Sequence, residues 1–369
     1  SDGEPLSQEQ AHDFLVKEGF KVFPYFRICR SEEEVLAAID EIEVSRKTLD
    51  VLTDGAVIKV NDAAVREAMG YTDKFPRWAM AYKFEAEEVT TKVVGVVWQV
   101  GRTGKLTPLA QLEPVELAGA TVRKATLNNY GDILRKDVKI GSRVLIRRSN
   151  EVIPEILGAT EHTDDSREIE KPTVCPACGT PLNEVGAHLF CPNRGCRPRI
   201  AAKLDHYAGK NAMDIEGFSK STAYLLIDKK NVRAFSDLYR LKAEDLKDLE
   251  GFKAKKINNL LSAIEKSKAP ELDAFIYAIG IDGIGRVAAR DLAKRFKGME
   301  KLKKATYDDL IALENIGDIT ANNVVAYFAD GENLRELDAL AEVGVTPRAE
   351  EAPKGGVFEG ESVVLTGSL

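Results

Sequence analysis

The pattern of apolar and polar positions divides the chain into three stretches that predict different structures. The first ninety residues mix helical and strand patterns. Ser31 and Glu34 match a capping box, which predicts a helix from there to about residue 42. This stretch also predicts strands at 56–60 and 77–84 and a short helix capped by Asn61 or Asp62.

The pattern changes to β-rich over residues 91–165 and to amphipathic helices after about residue 200. Glycine-containing turns separate five short runs of strand-forming residues. These runs lie at 93–100, 106–117, 121–126, 143–148 and 152–159. Five short strands so close together predict a small barrel, and an OB-fold is the simplest candidate.

A short motif repeats through the helical stretch: an apolar residue, one variable position, Gly or Asn, and another apolar residue. Its copies begin at 215, 249, 281 and 313, which are 34, 32 and 32 residues apart. Such a period indicates one helix-hairpin-helix unit used four times. The turn glycines are Gly217, Gly251, Gly283, Gly285 and Gly317. The four copies could instead be ordinary helix corners with glycine C-caps, and one copy alone would favour that interpretation. Four in register favour binding to the DNA backbone, because each turn can approach a phosphate closely.

Four of the five cysteines form two close pairs, as Cys175 with Cys178 and Cys191 with Cys196. Thiolates in two such pairs are typical ligands of a tetrahedral Zn²⁺. His188 lies in the spacer and could replace one thiolate. The cysteines could instead form two disulfides or remain as four buried free thiols, although a chain of 369 residues does not need such crosslinks. Four ligands leave no open position, so the sequence predicts a structural zinc site.

The charge is unevenly distributed, and this changes what the net charge of −7 implies. Residues 91–160 carry 11 basic and 6 acidic side chains, and residues 171–210 carry 6 and 2. Local positive stripes matter for phosphate binding more than the total does. No run of 18 apolar residues occurs, so we expect no membrane partner.

Two lysines lie at the ends of predicted strands, Lys59 after the acidic turn at Asp54 and Lys83 after Trp78. Strands would hold both ammonium groups rigidly, and two such groups can clamp a phosphate whose charge grows in a transition state. Two ordinary surface lysines are the competing interpretation. Either lysine alone would be weak evidence for a phosphate site.

Taken together, these motifs resemble the bacterial NAD⁺-dependent DNA ligases. The segments Asp-Gly-Ala-Val-Ile-Lys at 54–59 and Trp-Ala-Met-Ala-Tyr-Lys at 78–83 look like two nucleotidyltransferase motifs. The segments at 101–104 and 146–154 look like OB-fold segments that contact DNA. The resemblance implies an α+β multidomain chain, arranged as the C-terminal part of an adenylation domain (1–90), an OB-fold (91–165), a four-Cys zinc finger (170–200), four helix-hairpin-helix units (201–347), a linker (348–357) and the start of a BRCT domain (358–369).

The resemblance also implies roles for single residues. Lys59 and Lys83 match the lysines that contact the adenylate phosphate, and Asp54 matches an acidic residue that positions it or binds Mg²⁺. The positions that match DNA contacts of the OB-fold are Arg102, Thr103, Arg148, Val152 and Ile153. The implied cofactors are NAD⁺ as adenylate donor, structural Zn²⁺ and catalytic Mg²⁺, with Mn²⁺ as a substitute.

The implied activity is the sealing of 5′-phosphate/3′-OH nicks in duplex DNA by a monomer in the bacterial cytoplasm, at the nucleoid, through ligase-AMP and DNA-AMP intermediates. The family's nucleophile lies in a Lys-x-Asp-Gly motif, which this sequence lacks. We therefore expect a piece of a longer ligase that does not adenylate itself. The competing hypothesis is a non-enzymatic DNA-binding clamp or scaffold.

Overall fold

The computed structural model describes most of the chain, in two compact units. The described residues are 6–49, 51, 53–72, 75–84, 87–117, 119–147 and 154–349. The first unit comprises Ser1–Thr91, Pro114–Arg123 and Leu145–Leu157. The second comprises Lys92–Glu113, Lys124–Val144 and Gly158–Leu369.

The N-terminal stretch combines three helices with a two-stranded ribbon. Its elements are α1 (Gln8–Lys17), α2 (Glu32–Ser45), a 3₁₀ turn (Arg46–Thr48), β1 (Gly55–Lys59), α3 (Ala63–Met69) and β2 (Ala79–Lys83). The predicted helix begins as expected, with Ser31 accepting from the Glu34 N–H. The Glu34 carboxylate accepts from the Arg30 N–H, one residue before the cap, at 2.7 Å. Ile39, Ile42 and Phe84 form a small core.

Five strands build the predicted barrel. They are β3 (Glu88–Val100), β4 (Lys105–Leu117), β5 (Ala120–Thr126), β6 (Arg143–Arg147) and β7 (Glu155–Glu161), with the short helix α4 (Tyr130–Arg135) before β6. The strand order β3-β6-β7-β5-β4 closes through a β3–β4 pairing. Apolar side chains at alternate positions, such as Leu106 and Ala110 on β4, are buried. The prediction of a five-stranded barrel is therefore confirmed.

A small β-hairpin lies between the two cysteine pairs and joins them to the barrel. Its strands are β8 (Asn183–Val185) and β9 (His188–Phe190). Strand β9 pairs antiparallel with β4, with Lys105 opposite Phe190 and Leu106 opposite Leu189. The residues that pack together in one apolar cluster here are Val100, Leu106, Leu189, Cys175, Cys191 and Cys196. Residues 170–200 are called the cysteine module below.

The rest of the described chain is helical. Its helices are α5 (Arg197–Ala208), α6 (Lys220–Lys230), α7 (Phe235–Leu238), α8 (Ala243–Leu246), α9 (Ala254–Lys266), α10 (Leu272–Ala278), α11 (Arg286–Phe296), α12 (Met299–Leu302), α13 (Tyr307–Ile311), α14 (Asp318–Ala329) and α15 (Gly331–Glu342). One large hydrophobic core joins them, and amphipathic α9 buries Ile257, Leu260 and Ile264 in it. Among the helices described, none combines the length and apolarity that a membrane crossing requires.

Candidate functional site

The four paired cysteines converge. All four sulfur atoms lie within 4.8 Å of one another. The Sγ atoms of Cys175 and Cys196 are 3.9 Å apart, and those of Cys178 and Cys191 are 3.6 Å apart. A tetrahedron of Zn–S bonds of about 2.3 Å places its sulfur atoms about 3.8 Å apart. The thiol cluster therefore fits Zn²⁺ in both ligand type and size.

The disulfide interpretation and a ligand role for His188 receive no support from this geometry. All four thiols are free, so the described cysteines do not form disulfides. His188 is not part of the cluster, and its Nε2 lies 3.3 Å from the Lys105 ammonium instead. Three of the cysteines are buried and Cys178 is exposed.

The thiols have different acidities without a metal. Burial raises the pKa of Cys191 to about 11 and also raises the pKa of Cys196. Burial has the same effect at Cys178, but hydrogen bonds to Thr180 and to the neighbouring thiols outweigh it and lower the Cys178 pKa to about 6. Since the metal binds thiolates, loading the cluster must release protons from the buried thiols.

The two predicted phosphate-binding lysines lie on one face of the β1–β2 ribbon. In its antiparallel register Lys59 is opposite Ala79 and Lys83 is opposite Gly55. Directly opposed residues of an antiparallel pair share a face, as do residues two apart along a strand. Both lysines therefore project from the same face, separated by about 14 Å of strand. Both are exposed, so their long side chains can lean towards a common ligand.

Asp54 lies beside one of these lysines. Its carboxylate is 3.9 Å from the Lys83 ammonium, and its side chain is 80% exposed. Gly55 lets the two strands approach closely at this end of the ribbon, since an added Cβ would lie 2.3 Å from the Tyr82 carbonyl oxygen. The ribbon thus joins a carboxylate and a lysine at one end with a second lysine at the other.

The barrel loop, residues 101–104, contains the predicted DNA contacts Arg102 and Thr103. Arg102 donates from Nη1 to the carbonyl of Gly280, at 2.7 Å, in the turn after α10. At the other end of the loop, Cys191 N–H donates to the Gly104 carbonyl at 2.8 Å. The loop is therefore fixed between the cysteine module and the third helix-hairpin-helix unit.

The sequence also predicts three further DNA contacts in the barrel. Arg148, Val152 and Ile153 lie outside the described residues, and so do 350–357 of the predicted linker and the predicted BRCT start at 358–369. Their roles stay predictions.

The four helical turns are called hairpins 1 to 4 in chain order, and the first three share a left-handed glycine. Gly217, Gly251 and Gly283 have φ of 81°, 76° and 81°, the left-handed region that favours glycine. Gly285 and Gly317 are extended and serve as N-caps of α11 and α14. In hairpin 4, the turn residue at 315 is asparagine. It is not among the left-handed residues of the described chain, and its amide donates to Asp291 at 2.7 Å.

The helices that follow the hairpins differ in their caps and in the charges around their first turns. Helices α9, α11 and α14 begin without a side-chain cap, which leaves their first N–H groups free for an anion. A shallow concavity at hairpins 1 and 2 is lined by Lys253, Lys255 and Lys256. Hairpin 4 has no lysine or arginine between 313 and 322 and carries Asp318 at its helix start.

Three stretches of the chain match models of known protein families. Residues 1–87 match the family model of the NAD-dependent DNA ligase adenylation domain, and residues 90–168 match that of the NAD-dependent DNA ligase OB-fold domain. A helix-hairpin-helix motif model matches residues 274–337. This chain belongs to the NAD-dependent DNA ligase family.

Bacterial relatives agree with this assignment. The DNA ligase of Alkaliphilus metalliredigens is 52% identical over 363 residues, covering 98% of this chain and 55% of the relative. DNA ligase 2 of Clostridium acetobutylicum is 49% identical over 360 residues, covering 97% and 54%. The DNA ligase of Clostridium perfringens is 47% identical over 364 residues, covering 97% and 54%. The chain spans about half the length of these curated relatives.

For this member of the ligase family, the predicted fold class is confirmed: part of an adenylation domain, an OB-fold barrel, a four-cysteine cluster compatible with zinc, and a helical helix-hairpin-helix region. Three cations, Arg194, Arg199 and Lys203, were not singled out from the sequence although they cluster in the structure. The positive balance of residues 171–210 was the signal that could have found them.

Proposed function

We propose that this chain supplies the phosphate clamp and the DNA-holding surfaces of an enzyme that uses NAD⁺ to seal 5′-phosphate/3′-OH nicks in duplex DNA. The observation that carries the proposal is the ribbon, on which Lys59 and Lys83 share a face and Asp54 flanks Lys83. Two lysines are suited to an adenylate phosphate because its negative charge grows as the bond to the leaving group breaks.

Asp54 has two candidate roles in this proposal. Its exposed carboxylate orients Lys83, and it is also a ligand of the type that Mg²⁺ or Mn²⁺ uses together with substrate phosphates. Mg²⁺ is usually held by one or two carboxylates while keeping several waters, so one exposed aspartate beside the phosphate is sufficient. The nucleophilic lysine would come from sequence outside these 369 residues, since no Lys-x-Asp-Gly occurs within them.

We propose Zn²⁺ as the metal of the cysteine cluster. Cys175, Cys178, Cys191 and Cys196 would fill its four positions, so the ion would fold the module and take no part in the chemistry.

Duplex DNA would be held through its backbone by the barrel and the hairpins. Hairpins 2 and 3 are the strongest candidates, since uncapped helix starts lie beside Lys255 and Arg286. Backbone contacts carry no sequence information, so binding should be sequence-independent. We further propose a monomer working in the bacterial cytoplasm. The proposed surface is completed by the glycines of all four hairpins and by Arg102, Thr103, Arg148, Val152 and Ile153.

The test uses this chain in a ligase reconstituted with the missing portion of a bacterial relative. Lys59→Ala and Lys83→Ala should each lower the rate of sealing by a factor on the order of 10²–10³, the usual effect of removing one group that stabilises transition-state charge. The measurement is single-turnover sealing of a nick that already carries 5′-AMP. Lys17→Ala, at the exposed end of α1, is the matched control and should keep the full rate. Full activity of both ribbon variants would contradict the assignment.

A non-enzymatic DNA clamp is the second candidate, and the missing Lys-x-Asp-Gly motif favours it for the isolated chain. Incubation with NAD⁺ carrying a labelled adenylate separates the two. The isolated chain should remain unlabelled, and the reconstituted ligase should become labelled. No label in the reconstituted protein would support the clamp alone.

A further inference from the structure

A cavity of about 450 Å³ lies inside the second unit, where the barrel loop, the cysteine module and the helical region meet. Its volume is in the range of small-molecule sites. Arg102 lines it from the barrel loop, Arg194 from the cysteine module, and Glu336 from α15. Helix α5 provides the floor with Arg199 and Lys203. The phosphate clamp and the hairpin turns are not part of it, apart from Asp282 of hairpin 3.

Three basic residues of α5 line this cavity, and their spacing explains why. Arg199, Lys203 and His206 follow one another at four and three residues, which places them on one face of a helix. Nη1 of Arg199 donates to the carbonyls of Cys191 and Pro192, at 3.1 and 3.3 Å. These bonds fix the plane of the guanidinium and use only part of its donor capacity.

Lys203 contributes a half-buried positive charge to the cavity. No ion pair or hydrogen bond joins its ammonium to another residue of the described chain. Burial lowers the pKa of Lys203, and repulsion from Arg199 and Arg194 lowers it further, while Glu336 and Glu332 act in the opposite direction. A half-buried cation without a partner is unfavourable, so an anion beside it would be stabilised.

Two of the three carboxylates in the wall are already engaged, those of Glu332 and Glu336. Glu332 pairs with Arg194 at 2.7 Å, and Glu336 accepts from the Ser236 N–H at 2.8 Å. Burial raises the pKa of Glu336, which weakens its negative charge. The wall contains more cations than anions. The cations are Arg102, Arg194, Arg199, Lys203 and Arg233, and the anions are Asp282, Glu332 and Glu336.

We propose that this cavity binds a small phosphate-bearing anion, between inorganic phosphate and a mononucleotide in size, with Lys203 and Arg199 as its charge partners. Arginine offers a planar fork that matches two phosphate oxygens, and lysine adds a point charge. The site does not depend on the proposed ligation chemistry, since none of its lining residues belongs to the ribbon. Because Arg102 also lines it, an anion here would brace the barrel loop.

The experiment measures the melting temperature of the 369-residue chain with increasing inorganic phosphate, and separately with AMP, at constant ionic strength set by NaCl. The chain should gain stability with either ligand, and Lys203→Gln should raise the dissociation constant by at least about tenfold. Without ligand, Lys203→Gln should melt at the same temperature as the parent chain or higher, because it removes a half-buried charge that has no partner among the residues described. Lys266→Gln, at the exposed end of α9, is the matched control and should respond as the parent does.

Equal phosphate responses in Lys203→Gln and the parent would mean general ion binding and would overturn the proposal. A second measurement covers the case in which the variant does not fold. Acetylation of the unmodified chain, read by mass spectrometry, should slow at Lys203 when phosphate is added and remain unchanged at Lys266. Unchanged acetylation of Lys203 would also overturn the site.

A third arm distinguishes a free anion from a phosphate of the DNA backbone. Lys203→Gln should keep the duplex affinity of the parent, whereas Lys255→Gln at hairpin 2 should lose affinity. If Lys203→Gln weakened duplex binding as much as phosphate binding, the cavity would be part of the DNA surface and the small-anion proposal would fail.

Discussion

At the scale of single residues, Gly104 determines how closely the barrel loop approaches the cysteine module. Its φ is +88°, and a Cβ added there would lie 2.4 Å from the Cys191 carbonyl oxygen. Both the conformation and the space therefore require glycine. Gly186, in the β8–β9 turn, has a left-handed φ of +58° but nothing within 4 Å of its added Cβ. A side chain at Gly186 would therefore meet backbone strain alone, whereas one at Gly104 would meet both strain and a steric clash.

We predict that Gly104→Ala destabilises the chain clearly more than Gly186→Ala. The control should lose about 1–2 kcal/mol, the strain of a left-handed non-glycine residue. Gly104→Ala should lose the same free energy of unfolding and, in addition, the contribution of the Cys191–Gly104 contact. Urea unfolding measures both. Equal losses would mean that the loop moves away without penalty.

His206 gives stability a predictable dependence on pH. Its Nε2 lies 2.9 Å from the Tyr277 carbonyl oxygen, which links α5 to α10. Burial lowers the His206 pKa and the nearby Arg102 lowers it further, against the effect of that hydrogen bond. The folded state therefore binds a proton less readily than the unfolded state, whose histidine pKa is about 6.5.

Acid should therefore reduce the contribution of His206 to the stability of the fold. His206 contributes its full stability above about pH 6.5, and the contribution is lost as pH falls through the lower folded pKa. Melting temperatures between about pH 7.5 and 5 should therefore fall in the parent chain and fall less in His206→Gln, which cannot titrate. Parallel curves for the two proteins would assign the acid sensitivity to other groups.

At the scale of elements, local patterns predicted most of the structure. The period-2 runs predicted all five barrel strands within a few residues, and the Ser31 cap predicted α2, because these signals depend on neighbours in sequence. The common face of Lys59 and Lys83 needed the β1–β2 register, which the strands alone do not specify. Arg102 and Gly280 are 178 residues apart, and no local pattern reports such a contact. The repeat likewise predicted four similar hairpins, whereas the fourth differs in charge and in its turn.

Because the hairpins differ, they should contribute unequally to the proposed DNA binding. Changing Lys253 and Lys255 to Gln together should weaken duplex binding similarly on unrelated sequences. The slope of log K against log salt should decrease by about 2, since each phosphate contact releases about 0.9 counterion. Asp318→Asn at hairpin 4 is the comparison and should not weaken binding. Losses that differed strongly between sequences would indicate base readout instead.

At the scale of the whole second unit, the cysteine module connects the barrel to the helices. It holds the barrel loop through Cys191 and Gly104, and its Arg194 forms ion pairs with Asp330 and Glu332 on the far side. Arg197, which directly follows Cys196, pairs with Asp228 of α6. Each of these contacts starts at or near a cysteine of the cluster. Folding of the cysteine module should therefore determine how the barrel and the helices are joined.

Metal removal tests this connection. We predict one Zn²⁺ per chain, and its removal by chelation, or by Cys178→Ala, should lower the melting temperature because structural zinc binding is coupled to folding. Hydrogen exchange should accelerate both in the module and in the barrel loop, since the Cys191–Gly104 bond depends on the folded module. Removal of the metal should also lower the affinity for duplex DNA, because Arg102 and Thr103 then lose their fixed position. Cys29→Ala, which changes the one cysteine outside the cluster, should keep the metal, the exchange pattern and the affinity. Faster exchange confined to the module, with the barrel loop unchanged, would show that the loop is ordered by the barrel alone.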